Sequence, residues 1–176
     1  MGVRYLLKEH RKISTMKVNC AVITVSDTRN RETDKSGKRI IDLLKDSSHQ
    51  INMYDITTDD KREIQQSIEA IIERDDVDAV IVNGGTGIAY RDVTIESVQP
   101  LFDKELPGFG ELFRHLSYQY DIGTASILSR ATCGIANHRV IFCLPGSTSA
   151  VTLAMEKIIL PEIGHMVMEL KKDLHN

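Results

Sequence analysis

Short runs of β-branched and other apolar residues alternate with amphipathic segments along most of this 176-residue chain. The run from Val18 to Val25 is nearly all apolar, which is typical of a strand buried on both faces of a sheet. The segment after Asp60 instead has the spacing of one helix face, carried by Ile64, Ile68, Ile71 and Ile72. Alternating strands and helices of this kind favour a parallel sheet with helices on both faces.

The rest of the chain continues the alternation, with a change near its C-terminal third. Two apolar runs flank Asn137-His138, a turn-like pair that predicts a hairpin, so we expect one antiparallel edge strand on an otherwise parallel sheet. Pro161 is expected to start a new turn or to kink the last helix. We predict further strands over residues 51–56, 79–82 and 140–144, and helices from near Ser36, over residues 94–102 and 108–120, and after Ser147.

Composition limits the functions open to such a domain. A net charge of −3 argues against nucleic acid as the main partner. No apolar run approaches the about 20 residues that a membrane helix needs, and the start of the chain lacks a signal-peptide core, so we expect a cytoplasmic protein. Scattered cysteines and histidines argue against a zinc site. We divide the chain into a basic N-terminal arm, residues 1–16, which charge alone would make a solvated tail, and a single domain, residues 17–173.

The strand that ends at Val82 runs almost directly into a glycine-rich turn, Gly84-Gly85-Thr86-Gly87. Glycines let the backbone turn tightly and approach a ligand closely, and the free N–H groups of such a turn attract anions. Ligands of open α/β sheets bind beyond the carboxyl ends of the strands, which is where this turn is expected. We therefore predict that it holds a phosphate-bearing ligand; the alternative is a tight turn with no ligand.

Three familiar motifs of α/β enzymes are missing from the sequence. The dinucleotide pattern GxGxxG fails because its last position would be Tyr90, and the glycine turn is not followed by the Lys-Ser/Thr of a P-loop. The GxSxG elbow of the α/β-hydrolases does not occur either. A nicotinamide dehydrogenase, a P-loop NTPase and an α/β-hydrolase are therefore unsupported.

Acidic residues are expected on the same edge of the sheet as the glycine turn. Asp92 lies five residues after Gly87, and Asp59 and Asp60 follow the second strand. A carboxylate beside a phosphate site repels the ligand unless a cation lies between them, and Mg²⁺ binds through one or two carboxylates together with phosphate oxygens. For each of these acids the alternative role is that of a helix N-cap.

A further candidate contact follows the strand that ends at Leu144. Ser147 comes directly after Pro145-Gly146, at the start of the last helix. Its hydroxyl can cap that helix, or the free N–H groups around it can form a second anion contact.

Five segments occur in an order that resembles the MoaB/MogA family of molybdenum-cofactor biosynthesis proteins: VITVSD, NGGTGIAYRDVT, LPGFGELFR, SILSRATCGI and LPGSTSAV. The resemblance covers roughly residues 17–170, and the stretch from Ser117 to Ala136 is more similar to the MoaB branch. It implies a three-layer α/β fold and a homotrimer or homohexamer. One departure is Asn83, where the family usually carries threonine and where asparagine can still offer an amide to the ligand.

The resemblance also implies molybdopterin adenylyltransferase chemistry, in which the terminal phosphate of molybdopterin attacks the α-phosphorus of MgATP and pyrophosphate leaves. Asp59 and Asp92 are then the catalytic acids and position Mg²⁺, and molybdopterin and ATP are the substrates. A non-catalytic pterin-binding or assembly protein of the same fold is the alternative hypothesis. The ligand-binding residues that the resemblance implies are Gly84, Gly85, Thr86, Gly87, Ser129, Pro145, Gly146 and Ser147, with Gly108 and Phe109 shaping the pterin end.

Overall fold

A computed structural model describes residues 16–172 of the protein, which contain a six-stranded sheet in the order β2-β1-β3-β6-β5-β4. The arm predicted over residues 1–16 lies, except for Met16, outside the described residues, so the division into an arm and a domain over residues 17–173 stays a prediction. The strands are β1 (Asn19–Val25), β2 (Gln50–Thr57), β3 (Ala79–Asn83), β4 (Lys104–Glu105), β5 (Thr132–Ala136) and β6 (Arg139–Leu144).

Four of the strands are parallel and bring their carboxyl ends to one edge of the sheet. β1 pairs with β2 on one side and β3 on the other, and β3 pairs with β6. All five residues of β3 are buried, as the apolar pattern predicts for a strand covered on both faces. We call this edge the carboxyl rim: the loops 26–34, 58–60, 84–93 and 145–147 that follow β1, β2, β3 and β6.

The other side of the sheet is antiparallel. β5 and β6 form the predicted hairpin through Asn137 and His138, whose φ angles of 44° and 61° place both in the left-handed region. The edge itself is not β5 but β4, which pairs antiparallel to β5. β4 is a strand of two exposed residues, so it has neither the length nor the apolar alternation by which a strand is predicted from sequence.

Helices cover both faces of the sheet, which confirms the predicted three-layer α/β class. Ile40 and Leu44 belong to one buried cluster, with Phe113 and Val151, while the isoleucines of the helix after Asp60 belong to the other. No helix within residues 16–172 is long and apolar enough to cross a membrane. The helices are α1 (Lys35–Asp46), α2 (Lys61–Ile72), α3 (Thr94–Val98), α4 (Pro107–Tyr120), α5 (Thr148–Ala154) and α6 (Leu160–Lys172).

Two prolines change the helices that the sequence predicts. The helix expected over 94–102 is only α3, followed by a 3₁₀ turn at Gln99–Leu101 that contains Pro100. At Pro161, where a new turn or a kink is predicted, α5 continues into α6 through a π-helical turn at Met155–Ile159. In that turn the N–H of Leu160 donates to Met155 O, five residues back, just before the proline that has no N–H to donate.

Candidate functional site

The glycine turn after β3 has, at its first two positions, a left-handed backbone that favours glycine and no room for a side chain. Gly84 has a φ of 99° and Gly85 a φ of 61°. A Cβ atom at Gly84 would collide with Val25 O, and one at Gly85 would collide with Thr94 Oγ1 and lie 2.8 Å from Asp59 Oδ1. The turn is therefore packed closely against the loops of its neighbouring strands.

Hydrogen bonds fix the first two residues of this turn. The N–H of Gly84 donates to Leu144 O at 3.0 Å, which ties the turn to the end of β6. Thr94, the first residue of α3, donates its hydroxyl to Gly84 O at 2.8 Å and its N–H to Gly85 O at 3.0 Å. Thr86 is buried. The tight turn predicted at the end of β3 is present, while its role in holding a phosphate stays a prediction.

The two acids after β2 have different roles. Asp60 is the N-cap of α2 and accepts hydrogen bonds from the N–H groups of Arg62 and Glu63 at 2.9 and 3.1 Å. Asp59 does not cap a helix: its Oδ2 accepts the N–H of Asp27 at 3.1 Å, and its own N–H donates to Asp27 Oδ1 at 3.0 Å. Of the two, Asp59 is the one at the glycine turn, since a Cβ atom at Gly85 would lie 2.8 Å from its Oδ1.

Asp92 also lies against the glycine turn and is not a helix cap. α3 begins at Thr94, and its N-cap is Val93, which makes no side-chain hydrogen bond. The carboxylate of Asp92 instead accepts the N–H of Ala89 at 3.0 Å. A Cβ atom at Gly87 would lie 2.6 Å from Asp92 Oδ2, so this carboxylate lies beside the last glycine of the turn.

The electrostatics around Asp59 favour a cation beside it. Burial raises the pKa of Asp59, the negative charge of Asp92 raises it further, and only Arg29 opposes the rise. Within residues 16–172 no group of three or more His, Cys, Asp or Glu side chains is arranged to hold a metal. Two carboxylates fit Mg²⁺ where phosphate oxygens supply further ligands.

The loop after β6 completes the site from the other side. A Cβ atom at Gly146 would lie 3.1 Å from the Cα of Gly84, so the loop that Pro145 begins reaches the glycine turn. Ser147 caps α5, since its hydroxyl accepts the N–H of Ala150 at 3.2 Å. The capping role predicted for Ser147 is confirmed, while its role as an anion contact stays a prediction.

Comparison with known proteins agrees with this arrangement. A family model described as "Probable molybdopterin binding domain" matches residues 21–165. The chain is 54% identical over 167 residues to "Molybdenum cofactor biosynthesis protein B" of Bacillus subtilis (strain 168), with 95% of this chain and 98% of that protein covered. The chain belongs to the MoaB/MogA family of molybdenum-cofactor biosynthesis proteins.

Solved structures of relatives have the same fold as this MoaB/MogA family member. A crystal structure of a molybdenum cofactor biosynthesis protein B is 52% identical, covers 90% of this chain and 98% of its own, and has a TM-score of 0.88. A crystal structure of the tungsten cofactor synthesizing protein MoaB from Pyrococcus furiosus is 42% identical, covers 88% and 98%, and has a TM-score of 0.79.

A buried carboxylate at the carboxyl rim escapes sequence-based prediction. The side chain of Asp34 is fully buried and accepts hydrogen bonds from Thr24 Oγ1 at 2.5 Å and from the Tyr54 hydroxyl at 2.8 Å. We call Asp34 and the polar side chains joined to it the Asp34 cluster; its other members are Ser36, Asn83 and Arg29. In the sequence Asp34 is one more acid in a polar loop, and only its position before α1 marks it as a cap.

The pKa of Asp34 shows how the Asp34 cluster differs from the acid pair. Burial by itself raises this pKa, but hydrogen bonds from Thr24, the N–H of Gly37, Tyr54 and Ser36 lower it, and the net result lies below the ordinary value. The hydroxyl of Tyr54, buried beside this carboxylate, has its pKa raised to about 12.

The family departure at Asn83 belongs to the same cluster. The amide of Asn83 donates to Thr24 Oγ1 at 2.9 Å and to Ile23 O at 3.3 Å, while its Oδ1 accepts from Ser36 Oγ at 2.7 Å. Asn83 is fully buried. Its amide therefore joins β3 to β1 and to the start of α1, whereas the sequence suggests a contact with the ligand.

Two arginines that the sequence does not single out hold the loops of the rim together. Arg29 donates to Ser36 Oγ at 2.7 Å and to Gly146 O at 3.0 Å, which links the first rim loop to the last. Arg130 donates its Nε to Thr86 O at 3.0 Å and its Nη2 to Asp92 O at 3.1 Å. Both act across long sequence separations, so no local motif reveals them.

Three residues implied by the family resemblance lie apart from these contacts. Ser129 is next to Arg130, and its N–H donates to Ser126 O at 3.0 Å; among the contacts described for residues 16–172, none joins its side chain to the glycine turn. Phe109 packs in the core against Phe142, with ring centroids 5.3 Å apart. Gly108 faces open space. Their roles in ligand binding stay predictions.

Proposed function

We propose that this protein is a molybdopterin adenylyltransferase that transfers AMP from MgATP to the terminal phosphate of molybdopterin and releases pyrophosphate. Membership in the family makes it a molybdenum-cofactor biosynthesis protein. The observation that carries the finer assignment is the pair of carboxylates, Asp59 and Asp92, beside the glycine turn, where burial and the charge of Asp92 raise the pKa of Asp59. Such an acid pair has little use in a site that only binds a phosphate.

The proposed reaction requires neutralisation of the substrates' charges and alignment of the substrates rather than a strong base. The nucleophile is already a phosphate anion, so the protein has to bring two polyanions together in the right orientation. The glycine turn offers N–H donors, and the start of α5 at Ser147 offers more. Asp59 and Asp92 would hold Mg²⁺, which supplies charge neutralisation when bound. The two loops that would bind the phosphate are in contact, since a Cβ atom at Gly146 would lie 3.1 Å from the Cα of Gly84.

We further propose that the protein is cytoplasmic and assembles as a homotrimer or homohexamer, as the family resemblance implies. Exposed apolar side chains support an assembly, since they cluster at the end of α4 and in the 3₁₀ turn that follows: Tyr118, Tyr120, Ile122, Ile127 and Leu128. Light scattering should give a particle of at least three chains. A 19.8 kDa monomer at micromolar concentration would contradict this proposal.

The proposed reaction is tested by measuring pyrophosphate release from MgATP with and without molybdopterin. We expect release that depends on molybdopterin and on Mg²⁺, with adenylyl-molybdopterin as the second product. Calorimetric binding of molybdopterin without any pyrophosphate release would favour the alternative hypothesis, a non-catalytic pterin-binding or assembly protein of the same fold.

A further inference from the structure

The loop 84–93 between β3 and α3 carries both the glycine turn and Asp92, yet it contains no helix or strand. Its start is tied to Leu144 and Thr94, and its end is closed locally by the N–H of Asp92, which donates to Ala89 O at 2.9 Å. The middle of the loop includes Ile88 and Tyr90, whose side chains are exposed. A loop of this kind needs a further contact to hold its two functional parts in a fixed relation.

Arg130 provides that contact from the segment just before β5. Its guanidinium bridges two backbone carbonyls that lie on either side of the exposed middle, Thr86 O at 3.0 Å and Asp92 O at 3.1 Å. The same guanidinium forms a two-pronged pair with the carboxylate of Glu96, in which Nη2 lies 3.2 Å from Oε2. Glu96 belongs to α3, so the pair fixes the guanidinium against a helix.

The two carbonyls matter because a peptide unit is planar. In a trans peptide the C=O and the following N–H point in opposite directions, so holding Thr86 O fixes the direction of the Gly87 N–H. Holding Asp92 O in the same way fixes the backbone from which the Asp92 carboxylate extends. Arg130 therefore sets the relative position of an anion donor and of an acid without contacting either group itself.

Arg130 also borders the open space next to the site. A cavity of about 340 Å³ is lined by Gly87, Asp92, Glu96 and Arg130, among others. The hydrogen bond from Arg130 lowers the pKa of Glu96, which keeps that carboxylate ionised beside the guanidinium. The pair thus lies at the ligand side of the loop rather than in the core.

We infer that Arg130 is a positioning residue for adenylyl transfer, which holds the Gly87 N–H and the Asp92 carboxylate in one arrangement through the carbonyls of Thr86 and Asp92. The inference rests on the proposed function. A role in overall stability does not account for the arrangement, because the side chains of Arg130 and Glu96 are 33% and 47% exposed and exposed ion pairs contribute little to stability.

The Arg130→Lys variant tests this inference. Lysine keeps the charge, but its single ammonium group cannot serve two carbonyls and a carboxylate at once. We expect kcat to fall by about 10–100-fold, because small displacements of catalytic groups have effects of that size, with the KM for ATP changed by less than about threefold. The thermal midpoint should stay close to that of the wild type.

A matched control comes from the opposite end of the sheet. Arg74 makes the same two-pronged contact with Asp76, at 2.9 and 2.8 Å, away from the carboxyl rim. Arg74→Lys should leave kcat, KM and the thermal midpoint unchanged. If Arg130→Lys does not fold, Glu96→Gln is the second test. This variant weakens the ion pair that holds the guanidinium but keeps Arg130 itself. It should give a smaller fall in kcat, again with little change in the KM for ATP.

Amide hydrogen exchange gives a readout that does not depend on activity. We expect the amides of loop 84–93 to exchange faster in Arg130→Lys than in the wild type and in Arg74→Lys. Wild-type kcat in Arg130→Lys, or a fall in kcat with unchanged exchange, would overturn the inference. If the wild-type protein releases no pyrophosphate, the proposed function fails on its own, and the exchange rates then decide whether Arg130 positions the loop.

Discussion

Two carboxylate sites on the same rim of the sheet are built in opposite ways. Asp34 is fully buried and receives hydrogen bonds from Thr24 and Tyr54 among others, so its pKa is lowered despite burial. Asp59 is half-buried beside Asp92, and its pKa is raised by burial and by that neighbouring charge. At Asp34 the hydrogen-bond donors outweigh the effect of burial, whereas at Asp59 burial and the charge of Asp92 outweigh the effect of Arg29.

The difference indicates which acids serve the fold and which serve a ligand. A carboxylate whose donors all come from the chain gains nothing further from a cation, whereas an under-compensated pair is stabilised only when a cation or ligand arrives. Arg29 lies near both sites, but its hydrogen bonds go to Ser36 and Gly146, and its guanidinium is 3.7 Å from Asp34. The guanidinium that opposes the rise in the pKa of Asp59 is thus hydrogen-bonded within the Asp34 cluster.

The largest expected effect is a loss of catalytic activity when the pair Asp59 and Asp92 is changed and the Asp34 cluster is left intact. Asp92→Asn should keep the fold, because the amide oxygen can still accept the N–H of Ala89, but it removes the charge that would hold Mg²⁺. Loss of one preorganised electrostatic group typically lowers the rate by about 10²–10³-fold. Pyrophosphate release and the thermal midpoint should be measured on one preparation with saturating Mg²⁺.

The control for this change is Asp60→Asn, which removes a neighbouring charge where the acid only caps α2. Asparagine is also a good N-cap, so stability and turnover should both stay near those of the wild type. Near-wild-type turnover in Asp92→Asn would make Asp92 a structural residue like Asp34 and would favour the non-catalytic hypothesis.

Gly85→Val should abolish ligand binding at the glycine turn while leaving the hydrophobic core intact. Valine is disfavoured at a φ of 61°, and its Cβ would collide with Thr94 Oγ1 and crowd Asp59 Oδ1. We expect the affinity for molybdopterin, measured by calorimetry, to fall by at least about 100-fold, which corresponds to about 2.7 kcal/mol. Gly85→Ala should give a smaller loss in the same direction, and unchanged affinity in a folded Gly85→Val protein would mean that this turn does not hold the phosphate.

A substitution in the Asp34 cluster should instead lower the free energy of unfolding. In Asp34→Asn one carboxylate oxygen is replaced by an NH₂ group, which is itself a donor. Whichever way the amide is oriented, this NH₂ group faces other donors: either the hydroxyls of Thr24 and Tyr54 or the N–H of Gly37. A loss of about 2–3 kcal/mol in the free energy of unfolding at pH 7, measured with urea, is expected for this buried mismatch. The ligand affinity of the folded fraction should change little.

The contribution of the Asp34 carboxylate to stability should also depend on pH. The folded pKa of Asp34 is depressed, so its contribution to stability is present above the unfolded value of 3.8 and is lost as the pH falls through the folded pKa. The difference in stability between the wild type and Asp34→Asn should therefore narrow below pH 3.8. A difference that stays constant through acid would show that Asp34 is not held ionised by its donors.

The fold was largely predictable because its main elements have long, local patterns. Buried β-branched runs such as Ala79–Val82 and the isoleucine spacing of α2 are read directly from neighbouring residues. β4 was missed because two exposed residues form no pattern, and the π-helical turn before Pro161 was missed because a long helix can absorb a proline by shifting one hydrogen bond.

The candidate site was predictable only where its residues adjoin a motif. Asp92 follows the glycine turn, but Asp59 and Asp60 could not be told apart, since either can cap the helix that follows and only the structure shows which one does. Arg130 contacts Thr86 across 44 positions, and Arg29 contacts Gly146 across 117. Contacts at such separations depend on how the strands are ordered, which no local pattern of a single sequence contains.

The smallest expected effect is also the sharpest test of the comparison. Asp59→Asn removes one of two like charges, while the new amide oxygen can still accept the N–H of Asp27. Without ligand, the variant should therefore have a higher free energy of unfolding at pH 7, by less than about 1 kcal/mol. With MgATP the sign should reverse, because a ligand that binds the folded state raises the thermal midpoint according to its affinity, and the variant has lost a metal ligand. Asp42→Asn removes the same charge from the exposed surface of α1 and should show no such reversal. An Asp59→Asn protein that is less stable than the wild type without ligand, and equally responsive to MgATP, would place Asp59 with Asp34 among the acids that serve the fold.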